Sequence, residues 1–263
     1  MCPARIAPQL LSSAKAAPEG DGWLHEIKYD GYRLLCRLEH GRARLFSRPG
    51  RDWTAELPTL VAAMEELGIG SAWLDGEMVA LRADGTPDFH ALKRSIAGKR
   101  GAPRLVYQVF DLLYLEGREL LGMDVLARKR MLEERVRGRC PCVRYTDHIL
   151  GNGPAFHRAA HQAGLEGIVS KRLGSRYRPG ARSRDWLKVK CMHRYVFTVA
   201  GIGKDGAVLV DEEGTFVGCA FYRHRPRIGH PVQVAALEWT PGRKLRHATV
   251  VLAEAEPSAT LTP

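Results

Sequence analysis

The chain has 263 residues, 45% hydrophobic and 26% charged, a composition that excludes disordered and fibrous classes and allows a sizeable buried core. Forty Lys and Arg against 29 Asp and Glu give a formal net charge of +11, which favours a polyanionic partner such as nucleic acid. No apolar run approaches membrane-spanning length and the first residues lack a signal-sequence pattern, so the chain reads as soluble and intracellular.

Residues 1 to 22 carry Pro3, Pro8 and Pro18 and end in Gly20-Asp21-Gly22, which predicts an irregular lead-in packed on the first sheet. Residues 23 to 29 predict a strand with Glu26, Lys28 and Asp30 on one face and Ile27 and Tyr29 on the other. Such a face suits either a solvated sheet edge or a reactive surface. Asp30-Gly31, followed by an apolar segment from 32 to 38, predicts a tight hairpin. Residues 42 to 47 alternate as a third strand. Pro58 opens a helix with Leu60, Val61, Met64 and Leu67 on one face, ending at Gly68, and 72 to 81 returns to strand.

Asp88 is a cap for a short helix through Ala97, and 104 to 115 is a long apolar strand or strand pair. Asp124 caps a helix striped by Val125, Lys129, Leu132 and Val136, with Lys129 lending only its aliphatic stem. Asn152 caps another, which turns Phe156, Ala159, Ala160 and Ala163 inward and closes at Gly164. Short strands at 167 to 171 and 186 to 190 flank a Gly- and Arg-rich loop. Beyond Arg194 the pattern changes to short β runs at 195 to 202, 207 to 211, 214 to 222, 231 to 239 and 245 to 252, which predicts a small antiparallel barrel. Two domains follow, 1 to 192 and 193 to 263, the latter with a frayed tail from Glu254. The six cysteines show no paired CxxC spacing, which argues against a zinc site or a disulfide framework.

Six short motifs carry the chemistry. Lys28-Tyr29-Asp30-Gly31-Tyr32-Arg33 is followed in order by Ser47-Arg48, Asp75-Gly76-Glu77, Phe110-Asp111, Glu166-Gly167-Ile168-Val169-Ser170-Lys171 and Trp186-Leu187-Lys188-Val189-Lys190. Each alone fits an ordinary strand or loop. In this order, over roughly residues 20 to 191, they resemble the motif series of ATP-dependent DNA ligases within the covalent nucleotidyltransferase superfamily. The wording around Tyr29-Asp30-Gly31-Tyr32-Arg33 is similar to the ligase domain of bacterial end-joining ligases.

The resemblance implies an α+β fold: an adenylyltransferase (adenylation) domain of antiparallel sheets flanked by helices, then a short OB-fold-like barrel. It implies a DNA-repair enzyme that seals nicks or breaks in duplex DNA with ATP and Mg2+ or Mn2+. Such an enzyme works as a monomer in the bacterial cytosol or nucleoid, with end-joining or repair proteins as further partners. The alternative is a degenerate, non-catalytic module that binds nicks or DNA ends.

Residue roles come with the same resemblance. Lys28 attacks the α-phosphate of ATP and carries AMP as a phosphoramidate. An unperturbed lysine titrates near 10.4, so Lys188, Lys190 and a metal favour the free amine and stabilise charge on the phosphate. Glu26 and the backbone at Ile27 contact adenine, Phe110 stacks on it, and Arg33 with Glu77 holds the ribose. Glu166 binds the metal, and Asp30 helps the metal or the 3′-hydroxyl in later steps. Ser47 and Arg48 engage the nick phosphate, and Arg48 also serves the nucleotide. Among Arg172, Arg176, Arg178, Arg182 and Arg184, the last two and Arg176 are the principal DNA contacts, with the tract from 223 to 227 as a second basic surface.

Three departures from the family pattern stand out. Pro49-Gly50 follows Ser47-Arg48 where Asn-Gly is usual, the barrel is short, and Ala248 to Glu254 occupies the place of a closing Arg-x-Asp-Lys motif. In relatives that motif orients the pyrophosphate leaving group, so its absence predicts slow lysine adenylylation and less affected sealing. With no extra DNA-binding domain evident before the first motif, the chain reads as a minimal ligase.

Overall fold

The computed structural model describes residues 2–97, 104–240 and 242–252, and the tail expected to fray lies outside them. The chain divides into two units, Met1–Val189 and Lys190–Pro263. The first unit begins with β1 (Leu10–Ser13), β2 (Trp23–Ile27), β3 (Tyr32–Glu39), β4 (Arg42–Ser47), α1 (Pro58–Glu65) and β5 (Ser71–Ala80). It continues through α2 (Phe89–Ile96), β6 (Leu105–Leu115), β7 (Arg118–Glu119), α3 (Val125–Val136), β8 (Val143–Tyr145) and β9 (His148–Leu150). It ends with α4 (Gly153–Gln162), β10 (Gly167–Arg172) and β11 (Arg182–Lys190), whose last residue falls in the second unit.

The helices start where the sequence chemistry allows. Pro58 stands in the first turn of α1, where a missing N–H costs nothing. Asp88 accepts the Ala91 N–H at 2.8 Å, and Asp124 accepts those of Leu126 and Ala127. Asn152 departs from its expected role: it precedes α4 but makes no side-chain cap bond, because its backbone is left-handed (φ 54°) rather than extended. On α4, Ala160 is buried while Ala159 is exposed.

Two sheets position everything that follows. One has the order β1-β11-β10-β2-β9, and the other β4-β3-β5-β6-β7 with β8 beside β6. This overturns the predicted hairpin at Asp30-Gly31. Strand β2 pairs with β10 and β9, whereas β3 pairs with β4 and β5, so residues 28 to 31 cross from one sheet to the other. Gly31 is needed there for close approach rather than for a turn: a Cβ would stand 2.2 Å from the Met78 carbonyl oxygen, and its φ is not positive. The lead-in is also more ordered than expected. Its β1 joins β11 in parallel, pairing Leu10 with Arg182 and Ser13 with Lys188, which extends β11 back from the predicted 186 to 182.

The larger core lies between the β3–β5–β6 face and helices α1 and α3, with Leu34, Leu38, Leu45, Met64, Leu74, Val109 and Leu132 all buried. At its margin the Arg128 guanidinium forks onto Asp111 at 2.7 and 2.9 Å, both side chains fully buried. Lys129 beside it corrects a second expectation. Its ammonium is buried with its stem, donating to Glu26 at 2.5 Å and to the Thr146 carbonyl at 2.8 Å.

The second unit contains β12 (His193–Gly203), β13 (Gly206–Val210), β14 (Phe216–Ala220), β15 (Pro231–Ala236), β16 (Glu238–Trp239), β17 (Leu245–Arg246) and β18 (Thr249–Leu252). Five of these form an antiparallel sheet in the order β14-β13-β12-β15-β18, while β16 and β17 form a separate pair. The expected closed barrel is not found: the two outer strands are linked through a single bridge, Phe221 to Thr249. Phe197, Val199, Leu209, Val232 and Val234 fill the core of this unit. No helix among the described residues is long and apolar enough to cross a membrane.

The Asp111–Arg128 pair sets a stability test. Burial pushes the Asp111 carboxyl up, but the Arg128 charge and hydrogen bonds outweigh it and hold the carboxyl below its usual range. The pair therefore contributes stability above the ordinary carboxylate range, lost as pH falls through the depressed value. Replacing Arg128 with Met strands a buried carboxylate and is expected to cost about 3–5 kcal/mol in urea unfolding at neutral pH, with a smaller loss in acid.

Candidate active site

A cleft of about 540 Å³ opens in the first unit, walled by residues of both sheets. Lys28 enters it just past the end of β2. Its backbone N–H donates to the Gly167 carbonyl at 2.9 Å, which ties the lysine to the start of β10. One residue before that glycine, Glu166 receives the Lys28 ammonium, Nζ to Oε2 at 2.5 Å, with the two side chains 19% and 8% exposed. Two segments 138 positions apart thus meet through one ion pair.

Glu26 lies two residues earlier on the same strand face and also lines the cleft. Its carboxylate is gripped by two ammonium groups, Lys129 at 2.5 Å and Lys171 at 2.8 Å. Lys171 in turn stands 4.7 Å from the Phe110 ring centroid and 4.3 Å from that of Trp186. Burial lowers the Lys171 pKa most, with Lys129 adding to the fall and Glu26 and Asp111 opposing it.

Arg33 is anchored in the cleft wall. It forks onto Asp75 at 2.9 and 2.6 Å, donates to the Gln9 carbonyl at 2.6 Å, and lies 5.3 Å from the Phe110 ring centroid. Tyr177 donates to the same Asp75 carboxylate at 2.7 Å. With Asp75 taking the guanidinium, Glu77 lines the cleft, and its carboxyl is pushed up to about 8. Burial is the main cause, Glu166 and Asp75 add to it, and Lys28 and Arg33 oppose it. Lys188 is shifted down, first by burial and then by Lys28 and Arg182.

Ser47 and Arg48 line the opposite flank, in a turn closed by the Gly50 N–H on the Ser47 carbonyl at 2.7 Å. The Ser47 hydroxyl is engaged with the backbone of Arg51. Ile27 and Arg182 also line the cleft, and Arg182 donates to the Leu11 carbonyl. The fold thus brings Glu26, Ile27, Lys28, Arg33, Ser47, Arg48, Glu77, Phe110, Arg182 and Lys188 together, with Glu166 bonded to Lys28. Asp30, Arg176, Arg184 and Lys190 are not among the lining residues. Arg176 and Arg184 are exposed, and Lys190 is the last residue of β11.

Sequence reasoning missed Leu10 and Leu11, which line the cleft because β1 pairs with β11, and it gave no role beside Glu26 to Lys129 or to Lys171 of the fifth motif, which bracket that carboxylate. Gln9 was also missed: the sequence offers only a polar side chain between Pro8 and the apolar Leu10-Leu11, and the structure buries it fully.

Residues 6–190 match the family model described as the ATP dependent DNA ligase domain. The chain belongs to the ATP-dependent DNA ligase family. It is 42% identical over 200 residues to the multifunctional non-homologous end joining protein LigD of Pseudomonas aeruginosa, covering 76% of this chain and 24% of that protein. It is 32% identical to a SPbeta prophage-derived DNA ligase-like protein, LigB, of Bacillus subtilis, covering 70% and 67% of the two chains. Among solved structures, a mycobacterial DNA ligase D complexed with ATP and MES superposes with a TM-score of 0.68 at 28% identity over 97% and 96% of the two chains. The chain therefore spans about a quarter of the LigD proteins it matches and nearly all of that ligase structure.

In this ligase-family cleft the raised Glu77 carboxyl generates a pH test. Its unfolded form releases the proton first as pH rises, so stability falls from the ordinary carboxylate range up to about 8 and then levels. Glu77→Gln keeps the shape of the protonated acid without its titration. Thermal melts across neutral and mildly alkaline pH are expected to show that decline in the parent and a flatter profile in the variant.

Proposed function

We propose that this chain seals nicks or breaks in duplex DNA through a Lys28-AMP intermediate. The single observation that carries the reading is the meeting of Lys28 with Glu166 in a cleft that also holds Phe110, Arg33, Glu77 and Lys188. An amine, a flat apolar ring and several cations in one recess suit a nucleoside triphosphate. Once parted from Glu166, the Lys28 ammonium gives a proton to solvent and its lone pair attacks the α-phosphate, so that the N–P bond forms as the P–O bond to pyrophosphate breaks and a second proton leaves the nitrogen. Lys188, with Lys190 further along the strand, supplies positive charge for the phosphate. Phe110 packs against the base, the Ile27 backbone and Glu26 read it, and the protonated Glu77 donates to a ribose oxygen beside Arg33. AMP then passes to a DNA 5′-phosphate and the 3′-hydroxyl displaces it, with Asp30 assisting these later steps.

Mg2+ or Mn2+ is the metal this chemistry implies, and the donor set fits it. The described residues contain no cluster of three or more His, Cys, Asp or Glu able to hold a metal alone. A hard cation that keeps most of its water and shares phosphate oxygens needs only a carboxylate such as Glu166. Bound there, it neutralises charge developing on the phosphate. The basic surplus, with Ser47, Arg48 and Arg182 in the cleft and Arg176 and Arg184 exposed outside it, holds the DNA backbone without reading sequence. End-joining partners accord with the LigD relatives' names, a cytoplasmic setting belongs to the same reading, and the second unit is read as a shortened OB-type module.

The unmatched segment after His247 supports a second reading, a non-catalytic binder of nicks, and one experiment separates the two. Incubated with ATP and Mg2+ or Mn2+, the protein is expected to gain one AMP by intact mass, and Lys28→Ala to gain none. Given a pre-adenylylated nick, it is expected to seal faster than it adenylylates itself. Absence of both reactions leaves only the binding role.

A further inference from the structure

Lys129 is fully buried, yet it lies outside all six motifs. Withdrawing an ammonium group from water is unfavourable unless close partners offset it, and three do: Glu26 Oε1 at 2.5 Å, the Thr146 carbonyl at 2.8 Å and the Tyr145 ring, its centroid 4.5 Å away. Packing does not require the charge. Val125, Leu132 and Val136 are the other buried side chains of that helix stripe, and an apolar side chain of similar volume would fill the place. What the charge does is hold one oxygen of a carboxylate whose other oxygen is held by Lys171 at 2.8 Å. Glu26 is therefore clamped at both ends while still lining the cleft near Phe110.

An ion-paired carboxylate offers acceptors only, and each oxygen has a second lone-pair direction beyond its lysine. We infer that Lys129 is a positioning residue: by fixing the Glu26 carboxylate as an acceptor on the cleft wall, it makes the site choose adenine over guanine. The adenine edge presents an amino donor where guanine presents a carbonyl acceptor, and two facing acceptors leave both groups unpaired. Without Lys129 the carboxylate is free to rotate about its remaining lysine, and the preference weakens. The inference rests on the reading of this cleft as the nucleotide site, and its test separates the two.

Parent protein and Lys129→Met are incubated with Mg2+ and either ATP or GTP, and AMP and GMP adducts are resolved by intact mass, with circular dichroism as a check on folding. The parent is expected to take AMP in strong preference, and Lys129→Met to show that ratio reduced at least about tenfold, since it loses a charge-held hydrogen bond to the base. A folded Lys129→Met with the parent's ratio, or with no adduct from either nucleotide, overturns the assignment. Should Lys129→Met fail to fold, the pair Glu26→Gln and Glu26→Gln/Lys129→Met decides, because the double variant strands no carboxylate. Equal ratios in those two, both below the parent's, support the assignment, and a further fall in the double variant overturns it. A parent that accepts neither nucleotide overturns the nucleotide-site reading itself.

Discussion

The pairing of β2 with β10 is the constraint on which the site depends. It sets Ile27 against Ile168 and Glu26 against Val169, so that Lys28 arrives beside Gly167 and within reach of Glu166. Because the register of an antiparallel pair alternates faces, a slip by one residue would turn Glu26 and Lys28 away from the cleft together. The pairings of half-buried Ile27 with buried Ile168 and of buried Leu24 with buried Lys171 oppose such a slip. The Lys28 amine is thus placed by a backbone ladder rather than by a flexible loop, which in the proposed reaction lowers the ordering cost of bringing it to a substrate.

Charge in the cleft is organised in layers. At the surface lies the Lys28–Glu166 pair, in the wall the Arg33–Asp75 fork, and below it the Glu26 carboxylate between Lys129 and Lys171. The deeper carboxylates are each held from two sides, Asp75 by Arg33 and Tyr177 and Glu26 by Lys129 and Lys171, and so are fixed in place. Asp75 takes two bonds from Arg33 and one from Tyr177, which leaves Glu77 as the carboxyl turned toward the cleft. The rigidity matters because electrostatic help to a developing phosphate charge comes from groups that need not reorganise.

The same economy explains the lead-in. Gln9 is fully buried, accepting the Arg178 N–H at 2.6 Å through its side chain while its own carbonyl takes Arg33. Its backbone N–H goes to Tyr177 at 2.9 Å. A segment outside the lysine motif thereby fixes Arg33 in the wall, and Leu10 and Leu11 line the same cleft. Family membership accords with this architecture, since the matching region runs from residue 6, within the lead-in, to residue 190.

The sequence by itself determined the parts that are local: the helix starts at Pro58, Asp88 and Asp124, the strand at 42 to 47, and the identities of the cleft residues from Lys28 to Lys188. Those signals rest on single-residue chemistry and short periodicities, which act within a few positions. Tertiary structure alone decided three things. Gly31 crosses between sheets instead of closing a hairpin, because the carbonyl that excludes a Cβ there belongs to Met78 on β5. Arg33 is tied to Asp75, a partner that the motif order did not assign to it. Lys129 became a charged partner of Glu26 from 103 positions away, because only the packing of α3 against the sheets reveals that its ammonium has a carboxylate to meet.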